Sequence, residues 1–412
     1  MEKIKNELLM PAGSIEKMKY AFAYGADAVY LGLVDFSLRA LRKGELIDKT
    51  NLKTAVDIAN ALNKKIYCTL NIFAYDKDIK KLYETIDVLK EAKPHALIIS
   101  DFGIYNVVKN NLKDIDIHIS TQTNILNSEA VKFWRDMGAS RVILARELSY
   151  NQIAEIRKNV PDIEIEMFIH GAQCMGYSGR CLLSDYMTKG ERQANQGNCA
   201  QACRWSYKLL EETRPNEYFE IVQDDKGSHI MSTKDLCLVR HIKKLCELGI
   251  DSFKVEGRTK SLYYVSAVAK TYRQLIDNKI QPDFAFEELK KVGNRGYTEG
   301  FFLENNNSSS YSYDISKGLA GADFLGIVQK KLAEKTYEVL IKNKILLNDV
   351  FQIITPNFDT EAKVIKIEHQ KKGEVDVANT NDVINLTLEY ENSDWEKEFN
   401  YALLRTRGMK EF

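Results

Sequence analysis

The stretch Asp251-Ser-Phe-Lys-Val-Glu-Gly-Arg258 decides the fold. Its core, Asp251–Glu256, is a short apolar run closed by glycine, the pattern of a buried strand. Seven runs of the same kind precede it, at Glu7–Met10, Ala28–Leu33, Lys65–Asn71, Ala96–Asp101, Asp116–Thr121, Arg141–Arg146 and Glu164–His170. Open doubly wound sheets more often hold five to seven strands, so an eighth within about 280 residues argues for a TIM-like (β/α)8 barrel.

Helical patterns fill the spaces: Ser14–Tyr24, Asn51–Leu62, Ile79–Glu91, Ser128–Met137, Ser149–Lys158, Lys234–Leu248 and Ser261–Asp277. Most open on an Asp, Asn or Ser able to cap a helix N-terminus. Residues 171–233 interrupt the alternation as a cysteine-rich insertion after the seventh strand, so the barrel spans residues 1–304. The polar run Asn305-Asn-Asn-Ser-Ser-Ser-Tyr-Ser lies in a linker over 305–322. Beyond it, over 323–412, Phe324–Leu332, Thr336–Asn343, Val350–Thr355, Ala362–Glu368 and Val383–Leu388 follow without long helices between them, which predicts a small C-terminal antiparallel β-barrel.

Composition excludes several classes of function. The 58 basic and 58 acidic residues cancel, so no long-range field draws in a polyanion and any nucleic acid must meet a local patch. The charged start Met1-Glu-Lys-Ile-Lys is not a secretory signal, and no run reaches the roughly 18 apolar residues of a membrane span. A cytoplasmic protein is expected, in which thiols stay reduced and clustered cysteines signify metal binding or catalysis.

In a barrel of this kind functional groups gather where strands end. Strand ends deliver Asn71, Asp101, Ser120-Thr-Gln-Thr123, Arg146, Glu147, His170, Lys254, Glu256 and Arg258 toward one mouth. Arg146 and Arg258 suit bidentate binding of carboxylates, and equally suit rim ion pairs with Glu147 and Glu256. His170 fits either an acid/base role or packing beneath a cofactor.

Cys174, Cys181, Cys199, Cys203 and Cys237 share one window, spaced x6, x17, x3 and x33. Four thiolates suit zinc or an iron–sulfur cluster. Only Cys199 and Cys203 approach the spacing of a zinc knuckle, and the remaining irregularity suits ligands gathered from separate loops. Cys68 and Cys246 fit core positions. The same loop is basic and aromatic, with Arg180, Lys189, Arg192, Arg204 and Lys208 among Tyr177, Tyr186, Trp205 and Tyr207. Such a mixture serves single-stranded RNA, and serves as well around a buried cluster or at a subunit contact.

The run Phe168-Ile-His-Gly-Ala-Gln-Cys-Met-Gly-Tyr-Ser-Gly-Arg-Cys-Leu-Leu-Ser, continued by Asn195-Gln-Gly-Asn-Cys-Ala-Gln-Ala-Cys-Arg-Trp, resembles the signature of the peptidase U32 family. Leu9-Met-Pro-Ala-Gly-Ser, Tyr24-Gly-Ala-Asp-Ala-Val-Tyr, Ser232-Thr-Lys-Asp-Leu, Lys254-Val-Glu-Gly-Arg-Thr-Lys-Ser, Arg295-Gly-Tyr-Thr-Glu-Gly-Phe and Asn400-Tyr-Ala-Leu-Leu-Arg match in order. Length and ending resemble the prephenate-dependent tRNA uridine hydroxylases of that family. The resemblance implies 5-hydroxyuridine formation at the wobble position, with the tRNA anticodon loop as partner and prephenate as co-substrate. It also implies a [4Fe–4S] cluster on Cys174, Cys181 and Cys199, with Cys203 favoured over Cys237 as fourth ligand. Arg146, Lys254 and Arg258 then clamp donor carboxylates, and a second U32-family subunit is a candidate partner. Rival readings are a collagenase-like U32 protease, a zinc-stapled binding protein, and a hydroxylase of 23S rRNA or a quinone ring. Against a protease, Gly176-Tyr-Ser-Gly-Arg lacks the order of a nucleophile elbow, and no His-Glu-x-x-His is present.

Overall fold

Eight parallel strands close on themselves in the computed structural model, which describes residues 6–33, 36, 50–173, 181–189, 191–192, 199–204, 222–224, 227–229, 234–303 and 319–408. They are β1 (Glu7–Pro11), β2 (Ala28–Gly32), β3 (Lys65–Leu70), β4 (Ala96–Ile99), β5 (Asp116–Ile119), β6 (Arg141–Ile143), β7 (Glu164–Gly171) and β8 (Ser252–Val255). Each pairs with the next, and β8 seals the ring by pairing with both β7 and β1. The TIM-like reading therefore holds.

The helices follow the strands: α1 (Ile15–Ala23), α2 (Leu52–Ala61), α3 (Asp76–Tyr83), α4 (Ile86–Ala92), α5 (Phe102–Asn111), α6 (Ser128–Met137), α7 (Tyr150–Asn159), α8 (Leu183–Met187), α9 (Ile242–Leu248), α10 (Leu262–Ile276) and α11 (Pro282–Lys290). Ser14, Ser149 and Ser261 cap α1, α7 and α10 through their side chains, as their positions predict. Two expected helices differ. Ile79–Glu91 divides into α3 and α4 at Thr85, whose buried hydroxyl bonds back to the Lys81 carbonyl at 2.8 Å. Lys234–Leu248 begins instead as a strand, Asp235–Cys237, antiparallel to the end of β7, and only its second half is α9. Asp235 is buried there against the Arg295 guanidinium, an anchor that the helical periodicity does not reveal.

The lumen carries charge. Arg141 donates to Glu7 at 2.7 Å, to Glu166 at 3.0 Å and to Glu164 at 2.7 Å, and so joins β6 to β1 and β7. Lys254 on β8 donates to the other Glu166 oxygen at 2.7 Å, while Tyr67 and Ser252 donate to Glu7 at 2.6 and 2.9 Å. Burial alone would raise the Glu7 carboxyl, but the Arg141 guanidinium holds it below the ordinary carboxylate range. Outward-facing strand residues such as Leu8, Ile66, Val142 and Ile165 bury the apolar faces of the surrounding helices.

The C-terminal domain is a six-stranded antiparallel barrel: β9 (Phe324–Ala333), β10 (Thr336–Ile341), β11 (Val350–Ile354), β12 (Thr360–His369), β13 (Val383–Glu389) and β14 (Leu403–Arg405). The order β11-β14-β9-β10-β13-β12 closes through β11 and β12 around Trp395, Tyr337 and Phe351. It braces the outside of the large barrel. Lys270 of α10 donates to the Thr355 carbonyl at 2.7 Å, Arg405 pairs with Glu288 of α11 at 2.8 Å, and Tyr24 reaches the Ile354 carbonyl at 2.9 Å. The stretch Asn305–Ser312 of the expected linker lies outside the described residues. Among those described, no helix is long and apolar enough to cross a membrane.

Replacing Arg141 with Met leaves the buried Glu7 carboxylate without its closest cation while Glu166 keeps Lys254, which costs on the order of 3–5 kcal/mol. Urea unfolding of the variant measures this. A loss below about 1 kcal/mol would show that water already compensates the lumen carboxylates.

Candidate active site at the barrel mouth

Above the charged layer, each strand end contributes a polar group. Arg146, three residues past β6, lies flat on Phe168, with its guanidinium carbon 3.7 Å from the ring centroid, and pairs with Glu256 at 3.3 Å. Arg258, beyond β8, is buried and donates to Thr69 Oγ1 on β3 at 3.1 Å. Arg146 and Arg258 thus bring two guanidiniums to a mouth that also carries Glu256. Glu147 follows, half-buried. Guanidiniums at a largely dry mouth favour an anionic ligand, because little water competes for them.

Lys254 sits lower than expected. It is 3% exposed and bonded to Glu166, and burial lowers its pKa below the ordinary lysine value against the pull of that carboxylate. Its ammonium lies 4.6 Å from the Tyr30 ring centroid, so it supports the floor of the mouth rather than projecting from it. Asp101 is likewise committed, accepting from the Ile104 amide at 2.9 Å as the cap of α5.

Of the two readings of His170, the structure shows a packed ring. The register between β7 and β8 slips from Lys254–Phe168 to Val255–His170, a bulge that turns His170 out of the lumen. Gly171 makes this possible: its φ is +102°, and a Cβ there would fall 2.4 Å from the Glu256 carbonyl. The His170 ring lies 1% exposed among Tyr264, Tyr272 and Tyr297, with Nδ1 3.2 Å from the Tyr272 hydroxyl. Burial pushes its pKa down to about 3, so it stays neutral and is walled off from the mouth. Cys237 joins the same pocket. Its thiol is 3.8 Å from the Tyr272 hydroxyl, and burial pushes it up to about 11.

The other cysteines stand together in sequence segments that one hydroxyl ties. Ser184 of α8 donates to the Arg192 carbonyl at 2.6 Å and accepts from the Ala200 amide at 2.8 Å. Arg192 in turn donates to the Cys199 carbonyl at 3.0 Å. These bonds fasten the Cys199–Cys203 segment to the helix that begins two residues after Cys181. Cys181 and Cys203 are half-buried, Cys199 is exposed, and all three are free thiols. Among the described residues no group of three or more histidine, cysteine or carboxylate side chains stands close enough together to hold a metal ion, so the described thiols do not by themselves form a ligand set. Cys174 lies outside the described residues, as do Tyr177, Arg180, Trp205, Tyr207 and Lys208 and the side chain of Arg204. Tyr186, 81% exposed, and Lys189 are both exposed on this segment.

The sequence alone gave no separate role to two features. Gln122 bonds Asn71 at 2.8 Å across the mouth, within a run read only as polar strand ends. Phe102, 64% exposed at the start of α5, stacks on Trp134 of α6 at 5.2 Å, and Tyr75, also exposed, stands at the start of α3. Both aromatics follow strand ends, so they flank the mouth. Phe102 had a sequence signal, an aromatic directly after the run Ala96–Asp101, whereas Tyr75 lies five residues beyond β3.

A family model described as peptidase family U32 matches residues 13–312, and one described as peptidase family U32 C-terminal domain matches residues 321–403. A Haemophilus influenzae protein named tRNA hydroxylation protein P is 40% identical, with 91% of each chain covered. The Escherichia coli protein of that name is 37% identical over 97% of this chain and 96% of its own. A Porphyromonas gingivalis protein named collagenase is 34% identical over 72% of this chain and 73% of its own.

Beneath the mouth, His118 is 3% exposed against Tyr67, and burial first, then Arg141 and Lys254, hold its pKa well below the ordinary histidine value. The unfolded chain therefore takes up this proton first, so stability is fully present above about pH 6.5 and falls below it, by about 1.4 kcal/mol per pH unit for one such group. Between pH 6.5 and 5.5, His118→Phe should show a flatter dependence by that amount in denaturant titrations. An unchanged slope would mean that the folded protein protonates His118.

Proposed function

The chain belongs to peptidase family U32, and from that premise we propose that it hydroxylates C5 of the wobble uridine of tRNA, with prephenate as co-substrate and a [4Fe–4S] cluster as cofactor. The observation that carries this reading is the similarity, at 40% and 37% identity over nearly the whole chain, to two proteins named tRNA hydroxylation protein P. Two guanidiniums at the mouth support the co-substrate, since prephenate carries two carboxylates for Arg146 and Arg258 to grip. Exposed Phe102, Tyr75 and Tyr186 offer faces on which bases of an opened anticodon loop can stack.

Cys174, Cys181, Cys199 and Cys203 would hold the cluster, with Cys237 as the alternative fourth ligand. Turning C5–H into C5–OH removes two electrons and needs both an acceptor for them and a source of oxygen; a bound cluster would supply one-electron transfer toward such an acceptor, which no ordinary side chain does. The chain's own groups do the rest. Arg146 and Arg258 orient the anionic co-substrate, Glu256 holds Arg146 in place, and the dry floor at Lys254 and Phe168 limits water.

Proteolysis finds less support. Among the described residues no histidine hydrogen-bonds a serine, threonine or cysteine, the pairing that activates such a nucleophile: His95 and His369 accept from backbone amides, His170 meets Tyr272 and His241 meets Glu299.

In a strain lacking this gene, the wild-type chain should restore 5-hydroxyuridine in tRNA and Cys181→Ser should restore none, as read by nucleoside mass spectrometry. Cys203→Ser should match Cys181→Ser, while Cys237→Ser should retain a substantial fraction. Full restoration by Cys181→Ser would refute the role of the cluster.

A further inference from the structure

We propose that Gln122 reads the target base and sets a preference for uridine over cytidine, an assignment that rests on the RNA hydroxylation reading above. Its carboxamide oxygen receives Asn71 Nδ2 at 2.8 Å and Ser120 Oγ at 3.1 Å, with Ser100 Oγ at 3.4 Å. Two good donors fill the two lone pairs of an amide oxygen. The group therefore has one sense: turned over, its NH2 would face the NH2 of Asn71. Ser120 further fixes the chain by accepting from the Gln122 backbone amide at 3.4 Å, and Ser100 is itself anchored to the Asn71 carbonyl at 2.9 Å.

These partners come from the ends of β3, β4 and β5, so the Gln122 oxygen faces the wall of the mouth and its NH2 faces away from that wall. Gln122 is 8% exposed, its Nε2 is not among the side-chain nitrogens sealed from solvent without a partner, and no described residue accepts from it. A fixed N–H donor at a site that excludes most water selects a carbonyl oxygen. Uracil presents O4 beside C5, the atom to be modified, whereas cytosine presents an amino group there, which would meet the Gln122 NH2 donor against donor. Discrimination of this kind is steep, because the wrong partner leaves polar groups unpaired.

The isosteric change Gln122→Glu keeps an oxygen for Asn71 and Ser120 and replaces only the outward NH2 with an acceptor. Anaerobically prepared holoprotein would be given two tRNAs that differ in carrying uridine or cytidine at the target position, and the hydroxylated nucleosides quantified by mass spectrometry. The wild type should favour uridine. Gln122→Glu should lose roughly 10- to 100-fold on uridine and shift the uridine-to-cytidine ratio toward cytidine, since a carboxylate accepts from the cytosine amino group. That ratio does not depend on how much of the variant folds, and Gln122→Met, which offers neither donor nor acceptor, should lower the ratio without favouring cytidine. An unchanged ratio in both variants would overturn the assignment, as would a loss equal on both tRNAs and reversed by excess prephenate, which would place Gln122 on the co-substrate. Failure of the wild type to hydroxylate either tRNA would instead refute the functional reading on which the assignment rests.

Discussion

Arg141 is the residue on which the barrel depends. One guanidinium compensates Glu7 on β1 and Glu166 on β7, and Glu166 in turn compensates Lys254 on β8. Two buried cations and two buried anions thereby neutralise one another in the lumen. Each alone would carry a desolvation cost of several kcal/mol, so the strands must keep the register that brings all four together. Because β1, β7 and β8 are the strands that seal the ring, the network acts where closure is decided.

That layer also defines what the mouth can be. With Lys254 held down by Glu166 and flanked by Tyr30 and Phe168, the floor is rigid and largely dry. Arg146 and Arg258 stand on it as cations, while Asn71, Ser120 and Gln122 line the wall from β3 to β5. Gly171 ends β7 in a conformation that brings the Glu256 backbone against it, and the chain then departs toward the cysteine segments. Two residues, Ala172 and Gln173, separate Gly171 from Cys174 in the sequence, so the cysteine window follows directly on the strand that ends at the mouth.

Much of this was legible in the sequence because it repeats. Eight apolar runs gave eight strands, and the glycine and polar residues that closed them gave the positions of Arg146, Glu256 and Arg258. What escaped is local. Strand alternation predicts which residues face inward but not where an extra residue resets it, so the bulge that turns His170 away from the lumen was invisible. Charge pattern likewise does not say which lysine is solvated, and Lys254 lies at a depth set by its distance from the end of β8. Asp235–Cys237 carried a helical pattern into a strand because its partner, the end of β7, is distant in sequence. The cysteines were the clearest signal, and the structure separates Cys237, packed with Tyr272, from the segments tied by Ser184.

The most direct test of the account is an anaerobic assay of the purified holoprotein on unmodified tRNA with prephenate, run beside the same protein on denatured collagen. The account expects 5-hydroxyuridine at the wobble position, dependent on prephenate, and intact collagen. Cleaved collagen with unmodified tRNA would contradict it.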